Sequence, residues 1–234
     1  MNTVIFNGVS IESVAPVKIE DVRISPIEYN PVTRPRAIAW GSEFIRMRGG
    51  TRTITLSLAV QIQNQIRRRE AFDALSEWAR TDAEFAMQFD FAPGRVLYCV
   101  CTGKPDPSTR QWWETKLKYT FTCYNNPYWT DISERSVACG TQFAPRGNAP
   151  PLMRIENSFS SAAGATAYSD GTNTISFSAI PAGAFVLDLN RQTAAVGGVS
   201  IMANVAPASS FIPPKTGAQT ITGTGTIKYR ERWE

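Results

Sequence analysis

Two runs of strictly alternating apolar and polar residues constrain the fold of this chain more than any other feature. In the run at 51–63 the apolar positions are Ile54, Leu56, Leu58, Val60 and Ile62. In the run at 117–123 they are Leu117, Tyr119, Phe121 and Cys123. Because successive side chains of a strand point to opposite faces of a sheet, each run predicts a β-strand with one buried and one polar face.

The second strand leads into an aromatic corner, Tyr124-Asn125-Asn126-Pro127-Tyr128-Trp129. Proline has no N–H to donate to a sheet and asparagine favours turns, so the corner predicts the end of the strand. We expect it to mark the edge of a domain. Its aromatic residues Tyr124, Tyr128 and Trp129 are then predicted to pack where two domains meet.

One helix is predicted, over residues 64–80. Asn64 can cap its first turn. Apolar residues follow at helical spacing, namely Ile66, Ala71, Phe72, Leu75, Trp78 and Ala79. The opposite face carries charges of both signs and is predicted to be solvated.

The other segments of the first 138 residues are predicted as strands and loops. A strand at 17–27 changes phase near Asp21, which predicts a β-bulge. A short strand is predicted at 82–91. A strand at 96–101, apolar on both faces, is predicted to pair with 113–123 across a loop at 102–108. Residues 30–50 are predicted to be a loop that is either a solvated segment or a docking surface. The loop contains the arginines Arg34, Arg36, Arg46 and Arg48.

Charged residues become sparse after Cys139, where Ala, Gly, Ser and Thr dominate. Short strands are predicted at 151–156, 173–178, 184–189, 199–205 and 220–229, with a long loop at 160–171. This spacing is typical of a jelly-roll or related sandwich. The predicted fold class is therefore mainly β, with two β-sandwich-type domains at 1–138 and 139–234.

The chain contains no histidine, which excludes Ser-His-Asp and Cys-His nucleophile systems and imidazole zinc sites within it. Its cysteines are Cys99, Cys101, Cys123 and Cys139. They lack the close pairs of a Cys₄ zinc site, so free buried thiols are predicted, with a disulfide or a metal site as alternatives. No cofactor and no metal is predicted.

The net charge is only +4 and is shared evenly between the two predicted domains, which gives nucleic-acid binding little support. No segment reaches the roughly 18 apolar residues of a membrane span, and the first residues do not resemble a leader. We therefore expect a soluble protein made in a cytoplasm, with no membrane partner.

Trp112 is out of place on its strand. The alternation assigns Trp113 to the core face and Trp112 to the polar face, beside Glu114 and Lys116. A subunit interface would explain it, and so would a covering loop or a lone exposed ring. The residues predicted to contact subunits or partners are Trp112, Arg46, Arg48, Val96 and Tyr98.

Taken in order, the motifs of the whole chain resemble the distal tail protein family of long-tailed, non-contractile bacteriophages. In the first half they are Phe6-Asn7-Gly8, Arg52-Thr53-Ile54-Thr55-Leu56, the helix ending near Leu75 and Trp78, and Phe121-Thr122-Cys123 before Asn126-Pro127-Tyr128-Trp129. In the second half they are Gly147-Asn148-Ala149-Pro150-Pro151, the strand at 185–191 and the basic-aromatic strand at 226–233. Their order carries more weight than any one of them.

This resemblance implies a non-enzymatic structural protein of the virion tail tip, made in the host bacterial cytoplasm. Members of the family form a ring, usually a hexamer, with N-terminal domains around the tail channel and a galectin-like C-terminal sandwich outside. The ring joins the tail tube protein to the baseplate or tail-tip hub protein and carries receptor-binding proteins. The inserted carbohydrate-binding modules of larger members have no counterpart in this chain.

Two other functions are compatible with parts of the sequence. A carbohydrate-binding, lectin-like host-recognition protein is suggested by the C-terminal sandwich, although the only tryptophan after residue 138 is Trp233. A glycoside hydrolase would need a pair of carboxylates in a cleft. Candidate pairs are Asp82 with Glu84 and Asp188 with Glu156.

Overall fold

A computed structural model describes residues 3–35, 42–48, 50–103, 105–111 and 114–234, with the backbone alone for 30–35, 42–48 and 106–111. The chain divides into two compact units. Unit 1 comprises the residues up to Trp129 together with Glu234, and unit 2 comprises Thr130–Trp233. The division falls at the aromatic corner; the domain boundary after residue 138, inferred from composition, stays a prediction. The mainly β fold class is confirmed.

The described residues of unit 1 form antiparallel strands and two helices. Its strands are β1 (Val4–Phe6), β2 (Val9–Ser10), β3 (Val17–Ile24), β4 (Asn30–Pro35), β5 (Ser42–Arg48), β6 (Arg52–Gln61), β7 (Phe85–Phe89), β8 (Arg95–Cys101), β9 (Asp106–Gln111) and β10 (Glu114–Cys123). Its helices are α1 (Ile11–Val14) and α2 (Gln65–Ala79). The strand β11 (Trp129–Asp131) includes the division between the units.

Neighbouring strands of unit 1 follow the order β2-β1-β7-β8-β10-β6-β3, with β9 also beside β10. The alternating runs predicted from sequence form β6 and β10, and these two strands pair along the whole length of β10. Their apolar faces build the core together with Val4, Phe6, Met87 and Leu97, all of which are fully buried or nearly so. The predicted bulge is confirmed by a register shift between Ile19 and Asp21.

The helix α2 covers one part of this core. The side chain of Asn64 accepts hydrogen bonds from the amides of Ile66 and Arg67, so the predicted cap is confirmed. Leu75 and Trp78 are buried, and the Trp78 ring lies edge-on to Phe6 at 5.6 Å. Ile66 is 72% exposed, contrary to its assignment to the apolar face, because it lies in the first turn ahead of the buried stripe.

Three predictions for unit 1 were wrong in detail. Residues 30–50 are not a loop, because β4 and β5 pair there as a hairpin. The loop predicted at 102–108 includes the start of β9, which pairs with β10. The predicted pairing of β8 with β10 is limited to Phe121 with Cys101 and Thr122 with Val100, because β6 fills one edge of β10 and β9 pairs with residues 114–118 along the other.

Unit 2 is built from short antiparallel strands around a second core. They are β12 (Arg135–Ala138), β13 (Gln142–Phe143), β14 (Ala149–Phe159), β15 (Thr166–Ser169), β16 (Thr174–Phe177), β17 (Gly183–Asp188), β18 (Thr193–Val196), β19 (Val199–Ser200), β20 (Gln219–Thr220) and β21 (Thr226–Trp233). The main order is β19-β18-β17-β14-β21, with β12 also beside β21. Two further pairs are β15 with β16 and β13 with β20.

The core of unit 2 contains Tyr168, Phe177 and Phe185, which contact one another and are almost completely buried. Three sequence predictions need correction here. The strand predicted at 220–229 is divided into β20 and β21, with residues 221–225 between them. The loop at 160–171 contains β15. The strand predicted at 199–205 is instead the two-residue β19, followed by a 3₁₀ turn at Met202–Asn204. The glycine pair Gly197-Gly198, with positive φ, precedes β19 and turns the chain back on β18.

No helix among the described residues is long and apolar enough to cross a membrane.

Candidate functional site

The aromatic corner is held by a single carboxylate. Glu84, which precedes β7, accepts hydrogen bonds from the backbone amides of Tyr124 and Asn125 and from Asn125 Nδ2 at 2.8 Å. A carboxylate that accepts several N–H donors fixes the chain direction at that point. The side chain of Tyr124 is left 55% exposed, immediately after the last residue of β10. We call these residues the corner clasp.

A second aromatic group lies on the same unit. Phe91 is 52% exposed and stacks on the buried Phe89 with ring centroids 5.0 Å apart. Trp129 packs edge-on against both rings. Exposed aromatic rings held rigidly by neighbours are typical of protein-contact surfaces, so Phe91 adds a candidate contact that the sequence analysis did not identify.

A shallow groove of about 430 Å³ runs beside α2. Its walls are mostly apolar, formed by Val14, Ala15, Pro16, Ile62, Ala71 and Ala74, with Arg67 and Glu70 at the edge. The exposed Ile66 precedes Arg67 in the first turn of α2. The groove therefore lies where Ala71 of the predicted apolar face meets Arg67 and Glu70 of the predicted charged face.

Arg52 is a buried cation that the sequence analysis passed over. It is only 5% exposed, and its Nε and Nη1 atoms have no hydrogen-bond partner. Burial lowers the pKa of its guanidinium, while Cys123, Tyr29 and Glu234 act in the opposite direction. Its burial could be predicted from the sequence, because Arg52 has the same phase as Ile54 on an alternating strand and so faces the core.

The four cysteines are free thiols, as predicted. Cys99 and Cys123 are completely buried, and Cys101 and Cys139 are partly buried. A hydrogen bond with Cys123, and then burial, raise the pKa of the Cys99 thiol. No group of His, Cys, Asp and Glu side chains among the described residues is arranged to hold a metal ion.

Unit 2 presents a charged sheet surface. Arg154 pairs with Glu134 at 2.7 Å and with Glu156 at 2.6 Å, and Lys228 pairs with Glu156 at 2.7 Å. Hydrogen bonds from Lys228 and then Arg154 lower the pKa of Glu156. The charges neutralise one another within the unit, whereas the large rings of Tyr168, Phe177 and Phe185 lie in the core and offer no platform to a sugar.

The carboxylates proposed for a hydrolase have structural contacts. Glu84 holds the corner, and Glu156 belongs to the ion-pair network. Asp188 accepts hydrogen bonds from the amides of Asn190 and Arg191, closing the turn after β17. Asp82 is exposed. These contacts give each of the three bonded acids a role in the fold, and nothing in them favours catalysis.

The residues predicted for subunit contact are scattered in what the structure describes. Trp112 lies outside the described residues, and Arg46 and Arg48 lie on β5, of which only the backbone is described. Val96 is buried and Tyr98 is partly buried. Their role in an interface stays a prediction, as does inter-domain packing by Tyr124, Tyr128 and Trp129.

The fold is shared with proteins of phage tails. No protein-family profile and no curated protein sequence matches the chain. Among solved structures, the chain matches the SPP1 Dit protein (gp 19.1), described as a paradigm of the hub adsorption apparatus in phages that infect Gram-positive bacteria, with a TM-score of 0.80 and 17% identity over 100% of both chains. It also matches a chain of the phage P2 baseplate in its activated conformation with a TM-score of 0.50 and 8% identity, over 99% of this chain and 98% of the other. At these identities the likeness establishes that the fold is the one found in the SPP1 Dit protein.

Proposed function

We propose that this protein is a structural component of a phage tail tip, in which six copies form a ring between the tail tube and the hub or baseplate. The ring would hold hub and receptor-binding proteins rather than catalyse a reaction. The protein would be synthesised in the host bacterial cytoplasm and would act in the virion.

The observation that carries this proposal is the extent of the match to the SPP1 Dit protein. A TM-score of 0.80 over the full length of both chains covers both units in the same order along the sequence. A shared fold alone does not establish a function. The independent support is the order of the sequence motifs from Phe6-Asn7-Gly8 to the last strand, which resembles that of the distal tail protein family.

The surfaces of the described residues are suited to repeated protein contact. Unit 1 has exposed aromatic rings at Phe91 and Tyr124 and an apolar groove beside α2. Cyclic rings of identical subunits use two different patches of one chain, so unit 1 needs at least two such surfaces. The exposed aromatic group and the α2 groove are the two that we propose.

The test is the size of the assembled protein. The full chain should be purified and examined by size-exclusion chromatography with light scattering over a wide concentration range, and by negative-stain imaging. We expect rings of uniform subunit number, and antibody labelling of intact particles at the tail tip. Monomers alone at every concentration, together with no label at the tail tip, would contradict the proposal.

A further inference from the structure

We infer that Cys99 and Cys123 form a cross-strand pair that an oxidant can convert to a disulfide. The disulfide would link β8 to β10 at the residue immediately before the corner clasp. The inference depends on the register of two strands in unit 1. It does not depend on the proposed function.

The register places the two cysteines opposite each other. The strands β8 and β10 are antiparallel, with Cys101 opposite Phe121 and Val100 opposite Thr122. If this register is continued by one residue, Cys99 comes opposite Cys123, and both residues belong to their strands. Directly opposed residues of an antiparallel pair have Cα atoms about 4.5 or 5.5 Å apart, and both values lie within the range of about 4.4–6.8 Å that disulfides span.

The side chains also share one face. Cys99 and Cys123 are both completely buried in the core of unit 1, with Phe121 beside them. The Cys123 side chain is close enough to raise the pKa of the Cys99 thiol. Cys101 is on the same face as Cys99, but it faces Phe121 and its thiol donates to the carbonyl of Gly103 at 3.4 Å. The pairing of Cys99 with Cys123 is therefore specific among the four cysteines.

Formation of the bond requires a local opening. The neighbouring Cys123 and burial raise the pKa of Cys99 and so disfavour its thiolate, and the thiolate is the species that attacks a disulfide. The paired stretch of β8 and β10 is short, consisting of Phe121 with Cys101 and Thr122 with Val100, and β10 ends at Cys123. The site therefore lies at a strand end, where opening costs least. A link at this place would remove that opening and fix the corner held by Glu84.

The reaction balances with a small disulfide as oxidant. One cysteine thiolate attacks a sulfur of oxidised glutathione and releases one reduced glutathione as its thiolate. The second cysteine then attacks the mixed disulfide and releases the other. The two protein thiols lose two electrons and two protons, and the glutathione disulfide gains them.

The test uses a variant that leaves the pair intact. In the double variant Cys101→Ser, Cys139→Ser the only thiols are Cys99 and Cys123. Incubation with oxidised glutathione in mild urea, followed by return to buffer, is expected to reduce the thiol count from two to zero with no change in molecular mass beyond the loss of two hydrogens. Non-reducing peptide mapping should recover a Cys99–Cys123 linked peptide.

The link should also stabilise the fold. It would close a loop of about 25 residues, for which chain-entropy arguments predict a rise in Tm of about 5 to 10 °C for a chain of this size. The rise should disappear on reduction and should be absent in Cys99→Ala and in Cys123→Ala. Two thiols that persist in the folded double variant, glutathione adducts without the internal link, or a linked species with a lower Tm would each overturn the inference.

Discussion

At the scale of single residues, a few buried or partly buried carboxylates fix the ends of strands. Glu84 is separated from Tyr124 and Asn125 by 40 and 41 positions in the sequence, yet it binds the amides of both. The contact converts a flexible turn into a defined corner, since hydrogen bonds to a charged acceptor are stronger than neutral ones.

The substitution Glu84→Gln tests this role. Glutamine has the same shape but only one acceptor oxygen, and its amide nitrogen would face the donor Asn125 Nδ2. We expect a loss of about 1–2 kcal/mol in the free energy of unfolding, measured by urea denaturation. The matched control is Glu77→Gln on the exposed side of α2, for which we expect a change below about 0.5 kcal/mol. Equal losses of unfolding free energy in the two variants would show that the Glu84 carboxylate does not stabilise the corner.

In unit 2, Asp170 has a similar role with a dependence on pH. Its side chain is 5% exposed and accepts hydrogen bonds from Lys215 Nζ at 2.6 Å and from the amides of Thr172 and Asn173. Burial raises the pKa of Asp170, but the bonds from Lys215, Asn173 and Thr172 together outweigh it, and the pKa lies below its usual range. The charged form is therefore stabilised by folding.

A lowered pKa in the folded state determines the direction in which the stability of the protein changes with pH. The stability from Asp170 is fully present above the unfolded pKa of about 3.9 and is lost as the pH falls through the lower folded value. We expect Asp170→Asn to cost about 1–3 kcal/mol at pH 7, measured by urea denaturation. The difference between the variant and the parent protein should shrink towards zero well below pH 3.9. A difference that stays constant with pH would exclude the ionised form as its cause, and Lys215→Gln should reproduce part of the loss.

At the scale of elements, α2 depends on its first turn, because the helix has an exposed apolar residue and no acidic residue there. Asn64 satisfies two amides that would otherwise have no partner within the helix. The substitution Asn64→Ala is expected to destabilise the protein by about 0.5–2 kcal/mol. The neighbouring Gln63→Ala, outside the helix and exposed, serves as its control. Hydrogen exchange of the first-turn amides measures the local effect, and unchanged exchange in Asn64→Ala would contradict the capping role.

The elements that can be predicted from the sequence have a regular pattern of apolar and polar residues within their own segment. The alternation of β6 and β10 and the spacing of Leu75 and Trp78 in α2 each reflect one buried face. The hairpin of β4 and β5 lacks that signal, because Pro31 and Pro35 and several charged residues interrupt any alternation. The same is true of β9, which contains Pro107.

Pairing partners were harder to predict than strands. A run of alternating residues specifies a buried face but not the neighbour, so β10 was assigned to β8 although β6 is its long partner. The candidate sites depend on such long-range pairings: Glu84 meets the corner, and Cys99 meets Cys123, only through the order of strands in unit 1. Burial of Arg52 followed from phase alone and could have been predicted.

At the scale of the whole molecule, the chain combines two separate cores with exposed aromatic and apolar surfaces on unit 1. Each core is formed by residues of one unit, with Phe121 and Leu75 in the first and Phe185 and Ile227 in the second. Subunits that assemble through such surfaces lose little free energy to the desolvation of ions. We expect assembly to depend on a few aromatic residues more than on ion pairs, since aromatic residues dominate binding at interface centres.

A substitution at Trp112 can test that expectation, because it separates an effect on ring assembly from an effect on folding. On β10, Thr115 and Leu117 are buried whereas Lys118 is exposed, and continuing this alternation assigns Trp113 to the core and Trp112 to the outer face. We expect Trp112→Ser to weaken ring formation at least tenfold in concentration, measured by light scattering, while the Tm of the monomer stays within about 2 °C. Trp113→Ser is the matched control, because loss of a core aromatic should lower the Tm by several degrees. If Trp112→Ser assembles like the parent protein, the residue is a surface ring without a partner. If it unfolds like Trp113→Ser, the alternation does not extend beyond Glu114 and the outer face of β10 has to be reassigned.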